Sequence, residues 1–266
     1  MRNLGLQNLG PRNLGLLAAT LLTSLTLISD SLHDRSNLSP LETSLLNAAS
    51  TYSTTDGHAL QSLQTTGLSR VHDFLSPEDL AQLTTLAVHE RLPTPQESSK
   101  GRFHHDMRTH HNAASLQHLV APLRPLIATF LSPTATCTQL QILDTLPNSP
   151  TPQNFHADNT SVGVTILIPF SKGGVSVAQG PTELLVGSLR TPVRAVLLPG
   201  DALLFDSRLW HRGLGNETPR TRRVLVVRFD EVETPPPGVG FLGTAWVGLA
   251  GAACFRANDF FNAIIP

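Results

Sequence analysis

Two histidines and an aspartate carry the first chemical signal in this chain of 266 residues. His156-Ala157-Asp158 sets an imidazole and a carboxylate two residues apart. At a strand end, residues i and i+2 point the same way, so both can converge on one ion. Two imidazoles and one carboxylate hold iron(II) on one face and leave positions open for a bidentate co-substrate and dioxygen. The triplet alone is weak, because a loop histidine paired with its neighbouring aspartate reads identically. A third ligand must come from another strand, and His211 suits the role, directly after the run Ala202–Trp210. By itself His211 equally describes a satisfied histidine near the surface. Arg222 follows eleven residues after His211, where the apolar stretch through Val224, Leu225, Val226, Val227 and Phe229 begins. From there a rigid planar fork can reach into a barrel and clamp a carboxylate. Arg220 and Arg223 compete for that role. Arg220 lies in the preceding loop and Arg223 faces the opposite way on a regular strand, so a solvated basic patch describes those two better.

These side chains need strands to hold them, and the periodicity supplies candidates. Ser76-Pro77-Glu78-Asp79 is a capping-box-like start for a helix running to about Arg91, with Leu80, Leu83, Leu86 and Ala87 on its apolar face. A second helix is predicted over 113–131, split or kinked by Pro122 and Pro125. From Cys137 the period changes to that of strands: 138–143, 164–170, 183–186, 193–198, 202–205 and 223–229, several separated by Gly and Pro. Two helices followed by many short strands do not read as βαβ units. They predict a mainly β, mostly antiparallel barrel or sandwich with helices on one side.

Bulk properties narrow the function classes. The chain is 40% hydrophobic and 15% charged, with 19 Lys+Arg against 20 Asp+Glu and a net charge of -1. A polyanion binder needs a surplus of positive charge, so no nucleic-acid partner is expected. Cys137 and Cys254 read as buried free thiols rather than a disulfide framework. Residues 13–28 are uncharged and follow Arg2 and Arg12. That layout fits a signal peptide or a membrane-contacting anchor, against a packed or disordered extension. The apolar run is short for a bilayer crossing. Cytoplasmic, organellar and membrane-associated placements stay open, as does the oligomeric state. Residues 31–66 read as a linker or lead-in, and the tail from Glu233 as extended cover packed on the domain.

Several motifs in order raise the specificity. They are Gln153-Asn154-Phe155-His156-Ala157-Asp158, then Gly180-Pro181-Thr182-Glu183-Leu184 with Gly187-Ser188, then Gly200-Asp201-Ala202-Leu203-Leu204-Phe205-Asp206 leading into Trp210-His211-Arg212-Gly213, Asn216 and Arg222. Over roughly residues 67–230 this string resembles the phytanoyl-CoA dioxygenase-like family. The resemblance implies a double-stranded β-helix (jelly roll, cupin-like) and a dioxygenase that uses Fe(II), 2-oxoglutarate and O2 to hydroxylate a substrate C–H bond. It implies His156, Asp158 and His211 as metal ligands and Arg222 as the clamp for the distal carboxylate of 2-oxoglutarate. Thr182 and Ser188 match family positions flanking the site, and Gln141 and Gln153 are candidates to face the co-substrate or substrate. The implied layout is an N-terminal segment and linker over 1–60 and one oxygenase domain over 67–266, with its core at 137–230. Leu189 stands where family members often carry a histidine, and the segment between Phe170 and Gly180 is short and polar. The presence of Asp158 argues against halogenation, which needs a halide in the carboxylate's place.

His104, His105, His110 and His111, interleaved with Asp106 and Arg108, form a denser histidine cluster. No strand pattern frames it, so it reads as a surface loop over the mouth of the site, with Arg102, His105 or Arg108 as candidates to touch substrate. The expected substrate is a small or medium organic molecule, lipid-like or a secondary metabolite, with protein hydroxylation left open. The competing readings are a catalytically inert jelly-roll binding domain and a non-oxygenase metalloenzyme on a similar barrel. The second would have no need of Arg222.

Overall fold

The computed structural model describes residues 57–89, 92–187 and 190–231. The 13–28 segment, Ser188 and Leu189, the tail from Glu233 and Cys254 lie outside the described residues. No helix among the described residues is long and apolar enough to cross a membrane.

Among the described residues, four α-helices and ten strands follow one another: α1 (Gly57–Thr66), β1 (Leu68–Val71), α2 (Pro77–His89), β2 (Gln96–Ser99), β3 (Arg102–Asp106), α3 (Ala113–Leu119), a 3-10 turn (Ala121–Leu123), α4 (Arg124–Phe130), β4 (Thr136–Thr145), β5 (Gly163–Pro169), β6 (Thr182–Val186), β7 (Thr191–Ala195), β8 (Ala202–Asp206), β9 (His211–Gly213) and β10 (Arg222–Asp230). The strands form a seven-stranded sheet, ordered β1-β8-β5-β10-β4-β3-β2, and a three-stranded sheet, ordered β7-β6-β9. Every pairing is antiparallel. The non-consecutive neighbours are the crossovers of a jelly roll, as the sequence resemblance implies.

The large sheet is apolar on both faces, for different reasons. Leu140, Ile142, Ile166, Ile168, Leu225 and Val227 point to one face and join a core with Leu63, Leu83, Leu116 and Ile127 from the helices. The residues between them, among them Leu143, Thr165, Leu167, Val224 and Val226, line a pocket whose other wall comes from the small sheet. This period-two division explains why β5 and β10 read as continuous hydrophobic runs rather than alternating ones. In α2 the backbone N–H of Asp79 donates to Ser76 Oγ at 3.1 Å and that hydroxyl donates to the Asp79 carboxylate at 2.8 Å. The expected cap is therefore present. The 113–131 helix is split into α3, the 3-10 turn and α4, because Pro122 and Pro125 each remove an N–H donor where the helix would continue.

Three expectations are corrected. Residues 57–66, placed in the linker, form α1, which buries Ala59 and Leu63 in the core; its apolar signal is too short to stand out among Ser, Thr and Gln. β1 follows it, a strand outside those expected from the sequence, where Ser69 and Arg70 are buried polar residues that mask the strand pattern. The histidine cluster is not a loop throughout: residues 102–106 are β3, paired in register with β4 from Arg102↔Thr145 to Asp106↔Gln141. Its composition, Arg-Phe-His-His-Asp, has little intrinsic strand preference, and pairing with β4 supplies what propensity lacks.

Asp201, fully buried, locks β1 to the turn before β8. It accepts from Arg70 Nη2 at 2.5 Å, from the Asp73 N–H at 3.1 Å and from the Leu198 N–H at 2.8 Å. Asp201→Ala strands a buried guanidinium and two donors, and is expected to cost about 3–5 kcal/mol in urea denaturation. Leu63 is 1% exposed, so Leu63→Ala is expected to cost about 2–5 kcal/mol in the same experiment. A loss under ~0.5 kcal/mol, the range of surface substitutions, would return α1 to the status of a linker.

Candidate metal centre and its pocket

His156 has no strand of its own. A two-way backbone bridge holds it: its N–H donates to the His211 carbonyl at 2.9 Å, and the His211 N–H donates back at 2.8 Å. The two rings lie 4.5 Å apart between centroids. In each imidazole Nδ1 faces a backbone carbonyl two residues earlier, Asn154 O at 3.0 Å for His156 and Leu209 O at 2.9 Å for His211. A carbonyl only accepts, so Nδ1 carries the hydrogen and Nε2 keeps a lone pair for a metal. Both Nε2 atoms face Asp158 Oδ1, at 4.0 Å from His156 and 3.7 Å from His211. The three candidate donor atoms lie within 4.8 Å of one another. Burial pushes the His211 imidazole below the usual histidine range, which keeps it neutral. His156 is more open and faces the mouth, its side chain 41% exposed. The donor set, its tautomers and its convergence fit a divalent ion such as Fe(II).

Arg222 lies deep in the same pocket, 2% exposed. Its Nη2 donates to Thr145 Oγ1 at 2.9 Å and its Nη1 to Gln179 O at 3.3 Å, while Nε, also buried, has no partner. No carboxylate hydrogen-bonds it among the described residues. Burial pushes its guanidinium down to about 9, with the charge of Arg102 adding to the effect. A dry cation with an orphaned donor fits an anionic ligand. Arg220 is exposed, and Arg223 is bound to Asp144 at 3.2 Å across the sheet from the pocket, as strand alternation predicts.

The other candidates separate. Thr182 lines the pocket. Gln153 lines it too, but its Oε1 is taken by Arg102 Nη1 at 2.9 Å and the Gly213 N–H at 3.0 Å. It therefore holds Arg102 and β9 in place. Gln141 is taken up by His104 Nδ1 and Gln139 Nε2, each 2.7 Å from its Oε1, and Gln139 lines the pocket in its stead. Arg102 does line the pocket, whereas His105 turns away to Pro93 O at 2.9 Å and Arg108 closes on Asp106 at 2.6 Å. A Cβ on Gly213 would fall 1.7 Å from Arg102 Nη1, so glycine there makes room for the guanidinium. Sequence reasoning did not place His104, which faces the pocket from β3 with a buried, unpartnered Nε2. Had β3 been recognised, the two-residue spacing of Arg102 and His104 would have found it.

Comparison with known proteins follows the same geometry. The family model described as phytanoyl-CoA dioxygenase matches residues 182–224, the segment that carries His211 and Arg222. No curated protein sequence matches the chain. Among solved structures, the epimerase SnoN in complex with Fe3+, alpha ketoglutarate and nogalamycin RO superposes with a TM-score of 0.58 at 16% identity, over 69% of this chain and 87% of that one. HygX from Streptomyces hygroscopicus, with nickel, 2-oxoglutarate and hygromycin B bound, gives 0.56 at 13% identity, over 66% and 87%. The alpha ketoglutarate dependent carbocyclase SnoK from nogalamycin biosynthesis gives 0.55 at 14%, over 66% and 84%. The segment bearing His211 and Arg222 thus matches the phytanoyl-CoA dioxygenase model, and the fold is shared with the alpha ketoglutarate dependent enzymes just named.

Proposed function

We propose that the chain is an Fe(II)- and 2-oxoglutarate-dependent dioxygenase that hydroxylates a small or medium organic molecule. The observation that carries this reading is the pairing, in one pocket, of a His-Asp-His donor set with a buried arginine that has no counter-ion among the described residues. His156 Nε2, Asp158 Oδ1 and His211 Nε2 would hold the iron. Arg222 would take the distal carboxylate of 2-oxoglutarate, with Thr182 beside it and Thr145 holding the guanidinium in place. Bound iron supplies coupling of the O2-dependent decarboxylation of 2-oxoglutarate, to succinate and CO2, with oxidation of a substrate C–H bond.

The protein's own contribution is binding, orientation and exclusion of water. Leu143, Leu167, Val224 and Val226 line the pocket that holds the donor set and Arg222, and this apolar surface would favour exclusion of water. His156, on the open side, would hold the ion within reach of a substrate entering from the mouth. His104 presents a ring nitrogen to the pocket, and no protein nucleophile is required. The similar structures named as an epimerase and a carbocyclase carry other outcomes on the same fold, so hydroxylation is the specific part of the proposal. An inert binding domain would have no use for converging Nε2 atoms or an uncompensated Arg222.

Anaerobic titration of the full chain with Fe(II) and 2-oxoglutarate is expected to give the weak visible band of chelated iron, with succinate released on admitting air. Asp158→Ala and His211→Ala are expected to abolish the band. Arg222→Ala is expected to keep it while raising the 2-oxoglutarate requirement about 10- to 100-fold, equivalent to roughly 1.5–3 kcal/mol for a charged hydrogen bond. Folded, iron-loaded protein with neither band nor succinate would return the chain to the inert class.

A further inference from the structure

Asp158 has two carboxylate oxygens, and the structure treats them differently. Oδ1 faces both histidine Nε2 atoms, with Arg228 Nη1 also 3.8 Å away. Oδ2 turns back and accepts a hydrogen bond from Thr165 Oγ1 at 2.7 Å. Thr165 is 2% exposed on the pocket face of β5. A hydroxyl has one hydrogen to donate. Ser207 Oγ, 3.2 Å from Thr165 Oγ1 and itself buried, is placed to donate to the threonine oxygen and so leaves that hydrogen for Asp158.

The same row of the large sheet reaches the second ligand. Thr165 pairs with Phe205 on β8 and with Arg228 on β10, and the Phe205 ring meets the His211 ring edge-on at 4.8 Å. One row of side chains thus backs a loop carboxylate and a histidine of the small sheet.

We propose that Thr165 is a positioning residue that makes Asp158 a one-oxygen ligand. This rests on the metal-centre reading above. A carboxylate free to offer both oxygens would fill a coordination position that co-substrate or dioxygen needs, and a carboxylate free to rotate would bind the ion more weakly. Thr165 keeps Oδ2 engaged and aims Oδ1 at the ion.

The test is Co(II) uptake by the full chain, followed by visible absorption and by competition with a chelator, with no turnover involved. Thr165→Val keeps the side-chain shape and loses the hydroxyl. It is expected to weaken Co(II) binding about 10- to 100-fold, the range for loss of a ligand's outer partner, and to change the intensity of the cobalt band as the carboxylate takes a new mode. Thr165→Ser is expected to restore both affinity and band. Asp158→Ala sets the level for a lost ligand. If Thr165→Val does not fold by circular dichroism, Thr165→Ala replaces it against the same serine variant. Hydroxyl-free variants that bind Co(II) as tightly as the parent, with an unchanged band, overturn the proposal. Absence of Co(II) uptake by the parent overturns the metal-centre reading instead.

Discussion

Two backbone hydrogen bonds between His156 and His211 are the constraint on which the site depends. The residues from 146 to 162 contribute no strand to either sheet, yet they carry two of the three donors. The reciprocal bridge joins that segment to β9 and sets the two imidazoles side by side. Its neighbours extend the same seam: the Gln153 N–H donates to the Gly213 carbonyl at 2.9 Å and Ser149 forms a bridge with Asn216. The Asn159 N–H closes the other end on the Ser207 carbonyl at 3.1 Å. Asn216, fully buried, donates to the carbonyls of Thr145, Leu146 and Arg220, so the chain entering β10 is held to the end of β4. A loop is thereby given the positional definition of a strand.

The pocket between the sheets is electrostatically unfinished. Arg222 and Arg102 are both buried and both held by neutral oxygens, from Thr145 and Gln179 in one case and from Gln153 and Leu214 in the other. Each is pushed below the ordinary arginine range by burial, to about 9 and about 10. Elsewhere the chain compensates its buried charges. Asp201 is met by Arg70, and Asp230 is met by Arg228, Thr138 and Asn159. The contrast sets these paired charges apart from two buried cations whose hydrogen-bond partners are neutral.

Much of this arrangement is legible in the sequence, and the reasons are local. The apolar runs of β5, β8 and β10 announce buried strands, and Ser76-Pro77 with Asp79 announces the start of α2. Where polar residues do structural work the pattern fails. Arg70 in β1 and Arg102 in β3 are buried charges whose partners, Asp201 and Gln153, are distant in the chain. Nothing local reveals them. The histidine cluster divides for the same reason. Once β3 pairs with β4, alternation sends His104 inward and His105 outward.

The chemical inventory is written in residue order: an HxD pair, a distal histidine, an arginine at the head of an apolar strand, and strands enough for a jelly roll. Those follow from residue type and short-range period, which a linear reading resolves. The tertiary contacts set which ring nitrogens face the site, which oxygen of Asp158 faces them, and which arginines lack a carboxylate partner among the described residues. Each of these is a contact between segments far apart in the chain, set by register across sheets, and register is a property of the pairing rather than of either strand alone.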